Sequence, residues 1–172
     1  MKGNTRALSL TALSVAGAVA ILYMGTFVPT MSLTVAAIAA LFTAVCVIEG
    51  GFKYGALCFA ATAILGLLIV PNWALALLYL TFFGGYPLIK SIAERQRSQT
   101  LGWGIKLIVF FAVLTLYMTL LQDLMLGAIL AADWAFYIVY GVGVIAFIVY
   151  DIGMSKLIGF YLARIYQHRE GR

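Results

Sequence analysis

One feature constrains this chain more than any other: six apolar runs, separated by breaks of glycine, proline or charge of which Lys90 to Lys106 is the longest, make up well over half of the sequence. A helix that crosses a bilayer needs about 20 mainly apolar residues, with a range of roughly 17–25. The runs extend from Ala7 to about Tyr23, Met31 to Ile48, Tyr54 to Val70, Trp73 to Ile89, Leu107 to about Leu126, and Trp134 to Tyr150. Gly25, Pro29 and Thr30 break the first from the second, Glu49-Gly-Gly-Phe-Lys53 ends the second, and Pro71-Asn72 closes the third. Lipid offers a backbone no hydrogen-bond partner, so each run is expected to be a helix. The sequence therefore predicts an all-α integral membrane protein, a bundle of six transmembrane helices forming a single domain over residues 1–172.

Composition agrees. Of 172 residues, 65% are hydrophobic and 10% charged, where a soluble domain carries about a quarter charged residues. The net charge of +5 invites a nucleic-acid reading, but the positions of the charges argue against nucleic acid as a partner. With the N-terminus placed inside, all eleven lysines and arginines fall on one side of the membrane. Lys2 and Arg6 precede the first span and Lys53 follows the second. Lys90, Arg95, Arg97 and Lys106 surround the loop between the fourth and fifth spans, and Lys156, Arg164, Arg169 and Arg172 follow the sixth. The opposite loops carry Asp123 and Asp133 and no positive charge. This is the positive-inside pattern, and one miscounted span would scatter it. Both termini are expected in the cytoplasm and the protein in the cell membrane. Trp73 and Trp134 fall at the outer boundary and Trp103 near the inner one, where amphipathic rings anchor. Ala18-Val19-Ala20 resembles a signal-peptidase site, but the apolar run continues through Ile21-Leu22-Tyr23-Met24, so the segment reads as a retained span.

Residues that carry chemistry are scarce. Cys46 and Cys58 lie inside apolar runs without metal spacing and read as small buried residues. His168 is the only histidine and sits in the basic tail. No metal and no cofactor is expected. A GxxxxGK[ST] loop, an HExxH helix and a Ser/His/Asp set are all absent from the sequence. The chain does not read as an enzyme.

Two groups of residues remain as candidates. Ala12, Ala16 and Ala20 form a stripe at four-residue spacing in the first helix, with Ser14 and Ala18 on a neighbouring one. Small residues at that spacing let another helix backbone approach closely, either within the bundle or from a partner subunit. At the outer face, Asn72 and Trp73 share one loop, Gln122 and Asp123 lie near the end of the fifth helix, and Asp133, Trp134 and Tyr137 begin the sixth. Tyr23, Thr26 and Thr30 lie at the outer end of the first hairpin. A few polar groups among aromatic rings suit a small ligand, although helix ends near headgroups also have this composition. Asn72, Trp73, Asp123, Asp133, Trp134 and Tyr137 are the candidate ligand-binding residues.

Three further features are local. Glu49 and Lys53 are spaced for a helical ion pair. Gly84-Gly85-Tyr86-Pro87 predicts a kink or break near the inner end of the fourth helix. Met154, Leu157, Ile158, Tyr161, Leu162 and Ile165 form an apolar stripe, so 154–169 is expected to be an amphipathic cytoplasmic extension that lies in the interface or prolongs the sixth helix.

Six short helices, cytoplasmic termini, the alanine stripe and a polar-aromatic outer face together resemble the substrate-binding S components of energy-coupling factor transporters. In that family the stripe contacts a transmembrane coupling subunit, which the resemblance carries to Ala12, Ala16 and Ala20. It also implies an outward pocket at Asn72, Trp73, Asp123, Trp134 and Tyr137. The implied function is a substrate-binding membrane subunit for uptake of a small, vitamin-like molecule, dependent on partners for energy. The small membrane subunit of the bacterial rod-shape machinery has a similar size and span count. A non-catalytic membrane scaffold or interaction subunit is therefore the alternative.

Overall fold

The computed structural model describes residues 2–95, 99–120 and 133–170. Among the described residues the chain is all-helical, and six helices are long and apolar enough to cross a membrane. It divides into two units, Met1–Thr119 and Leu120–Arg172.

The first unit is built on three helices, α1 (Lys2–Gly25), α2 (Ser32–Gly50) and α3 (Phe52–Ile69). A short 3-10 turn, Pro29–Met31, leads from α1 into α2. A single residue joins α2 to α3: Gly51, at φ 83° and ψ 179°, closes one helix and opens the other. A side chain there would be strained, which glycine avoids. The two helices then approach so closely that a Cβ on Gly55 would meet the Val47 side chain. Lipid supplies no hydrophobic drive between helices, so such close backbone approach is a main source of cohesion.

The fourth span is not one regular helix. Asn72 caps α4 (Trp73–Leu78), its Oδ1 accepting the Leu75 N–H at 3.1 Å. A π-helical turn follows at Tyr79–Phe83, then Gly84 and Gly85, then α5 (Tyr86–Ala93) with Pro87 in its first turn. The glycine–proline signal thus marks a real break, and the π turn begins five residues before it. The next helix, α6 (Gln99–Leu120), starts earlier than the expected fifth span because the helix continues through Lys106.

The second unit contains α7 (Asp133–Glu170), one helix of 38 residues. It joins the expected sixth span and its amphipathic extension into a single rod, since no glycine pair or proline falls between Tyr150 and Lys156 to stop it. Asp151, within this helix, is buried.

Candidate functional site

Of the outer candidate set, Asn72 and Trp73 belong to the first unit and Tyr137 to the second. Asn72 and Trp73 are neighbours at the start of α4. The Asn72 carbonyl oxygen is engaged in its own helix cap, and Trp73 is 65% exposed. Tyr137, on α7, is 79% exposed. Asp123 lies outside the described residues, as do the side chains of Asp133 and Trp134, although both residues open α7. Near the end of α1, Tyr23 packs edge-on against Phe27 at 6.0 Å, and the Thr26 hydroxyl is buried without a hydrogen-bond partner.

The alanine stripe has a definite place. Thr11, Ser14, Val15, Ala18, Val19 and Leu22 face inward and are buried. Ala12, Ala16 and Ala20 are all exposed, on the opposite side of the same helix. Leu13 at 72% and Met24 at 67% exposure flank them. The packing face of α1 is therefore made by its other small residues, and the four-residue alanine row is left open.

Two polar clusters lie within the first unit, and sequence reasoning anticipated neither. The first is uncharged and draws on four helical segments. Thr43 of α2 and Tyr79 of the π turn are fully buried and share a hydrogen bond of 2.9 Å. Beside them are Cys46 of α2 and Cys58 and Thr62 of α3, also fully buried, with Ser14 and Thr11 of α1 next to Cys46. The Thr11 hydroxyl donates to the Ala7 carbonyl at 2.8 Å, while the Thr62 hydroxyl is buried with no partner. A second tyrosine–threonine pair, Tyr117 with Thr81 at 2.8 Å, ties α6 to the fourth span, and Thr81 also donates to the Leu77 carbonyl at 2.7 Å. The Thr43–Tyr79 and Thr81–Tyr117 pairs answer the requirement that polar groups away from water be satisfied.

The second cluster is ionic. Lys90, only 2% exposed, pairs with Glu94 one turn on at 2.9 Å, and Lys106 reaches the same carboxylate oxygen at 3.7 Å. Lys106 also lies 5.3 Å from the Trp103 ring centre, within cation–π range. Both lysines were counted from the sequence among residues outside lipid, yet their side chains are buried. Glu94 is 53% exposed and connects the cluster to water. The signal available in the sequence was the i,i+4 spacing of Lys90 and Glu94.

Among the described residues no group of histidine, cysteine, aspartate or glutamate side chains could hold a metal ion. The chain matches no protein-family model, and neither a curated protein nor a solved structure is significantly similar to it.

Proposed function

We propose that this protein is a partner-dependent membrane subunit that binds a small, vitamin-like solute for uptake, oriented with both termini in the cytoplasm of a cell membrane. The observation that carries the reading is the open alanine face of α1. Ala12, Ala16 and Ala20 are exposed while Thr11, Ser14, Val15, Ala18, Val19 and Leu22 of the same helix are buried, and a row of small side chains serves close backbone contact with another helix. In the proposal that helix belongs to a transmembrane coupling subunit, which supplies the energy that this chain has no motif to supply. The eleven basic residues, all assignable to one side, support the orientation. Asn72, Trp73, Asp123, Asp133, Trp134 and Tyr137 are proposed to contact solute from the outer side, and the partnerless Thr26 hydroxyl is a donor at the same end of the bundle.

The test is gentle purification of the tagged full-length protein from its own host, followed by mass spectrometry of subunits and small molecules. A stoichiometric membrane partner and an enriched solute are expected with the native protein. With Ala16→Trp the partner falls to background while the folded yield is unchanged. Equal partner recovery with Ala16→Trp would sink the docking assignment. A partner recovered without any solute would instead favour a scaffold subunit.

A further inference from the structure

The two cysteines of the chain, read from the sequence as separate buried residues, come together across the joint at Gly51. Cys46 on α2 and Cys58 on α3 are both free thiols with no exposed surface. They belong to one contiguous buried core cluster with Val15 and Val19. Buried thiols in apolar surroundings are ordinarily inert, because the reactive species is the thiolate. The surroundings here are hydroxylic: Ser14 and Thr11 lie beside Cys46, and Thr43 and Thr62 beside Cys58. Thr11 donates to Ala7 and Thr43 is paired with Tyr79. Thr62 is fully buried one helical turn from Cys58, and its hydroxyl is free to turn toward a sulfur because it makes no hydrogen bond.

From this geometry we infer that Cys46 and Cys58 form an oxidisable dithiol inside the membrane, converted to a disulfide by a small uncharged peroxide. One sulfur attacks a peroxide oxygen, the O–O bond breaks, and water leaves as a sulfenic acid forms. The second sulfur then attacks the first, the S–O bond breaks, and a second water carries away the remaining thiol proton. Two thiols and one hydrogen peroxide give one disulfide and two waters; both sulfurs are oxidised and both peroxide oxygens reduced. Reactants and products are neutral, which suits a site where an unpaired charge is costly. Thr62 stabilises the negative charge that develops on sulfur along the way. For the same reason, charged reductants such as glutathione are kept from the oxidised pair, whereas a neutral dithiol reaches it.

The test uses the full-length protein in lipid vesicles, exposed to hydrogen peroxide, then denatured, alkylated and mapped by mass spectrometry. The expected product has lost two hydrogens, resists alkylation at both cysteines, and contains a Cys46–Cys58 linked peptide. Dithiothreitol reverses it and reduced glutathione does not. Cys46→Ser abolishes the cross-link and leaves Cys58 open to alkylation. Thr62→Val, which keeps the side-chain volume, slows cross-linking by about tenfold, the effect of one hydrogen bond to a charged acceptor. Peroxide-treated native protein that still alkylates at both positions, or that carries only sulfinic or sulfonic acids, overturns the inference. So does a Thr62→Val variant that cross-links at the native rate.

Discussion

The two faces of α1 carry nearly the same kind of residue and have opposite fates. On one, Ser14 and Ala18 sit among Thr11, Val15, Val19 and Leu22 and are packed against the other helices of the unit. On the other, Ala12, Ala16 and Ala20 keep a stricter four-residue spacing and are exposed. Small size therefore permits close packing without deciding which face receives it. The inner face is marked by what lies opposite: its Ser14 and Thr11 sit beside the buried Cys46 of α2, and the Thr11 hydroxyl is satisfied by the Ala7 carbonyl of its own helix. The alanine face offers no polar group that needs a partner, so it can stay open.

The sharpest way to break this comparison is to make one substitution on both faces. Leu22 has no exposed surface and Leu13 is 72% exposed. Leu22→Ala is expected to cost about 2–5 kcal/mol of bundle stability through the cavity it leaves, and Leu13→Ala no more than about 0.5 kcal/mol. Reversible unfolding in mixed detergent measures both, and equal losses would mean that the faces are not distinct. A smaller effect is expected from enlarging each face in turn. Ala18→Leu overfills a packed position at about 1–3 kcal/mol, whereas Ala16→Leu leaves unfolding unchanged because its side chain extends into open space. The smallest effect tests the polar lining that holds the inner face. Thr43→Val removes the hydrogen bond to Tyr79 and is expected to cost about 1 kcal/mol. A stability unchanged by Thr43→Val would remove the polar half of the explanation.

Much of the helical layout was legible because six runs are long and apolar enough to cross a membrane. The spans beginning at Met31, Tyr54 and Trp73 fall within a few residues of the helices found, and the break at Gly84–Gly85 was visible from residue chemistry alone. The π turn was not, since Tyr79-Leu-Thr-Phe-Phe83 has no proline or glycine to signal it; its Tyr79 is placed by Thr43, far away in sequence. The burial of Lys90 and Lys106 was hidden for a related reason. Charge in a sequence marks a boundary, but a nearby carboxylate and an indole ring allow two ammonium groups to lie below the surface. The thiol pair needed the hairpin register, which depends on the one-residue joint at Gly51. As for the outer candidates, Asn72 could be recognised as polar and near a helix end, but not that its oxygen would serve the cap of α4.

The π turn at Tyr79–Phe83 also sets how the gene can change length. Such a turn accommodates one residue more than an α-helical path over the same rise, and each residue turns a helix by about 100°. Deleting a single codon in this stretch would let the span relax into ordinary helix. Because the wide turn already absorbs one extra residue, everything beyond would keep nearly its original phase, with Lys90 and Glu94 still beside Lys106. A point substitution in the same five residues leaves that phase intact. The fourth span should consequently tolerate loss of one residue better than a regular helix does, and a deletion scan across 79–83 would show a milder loss of folded protein than the same scan across the middle of α3, where each deletion turns everything beyond by about 100°.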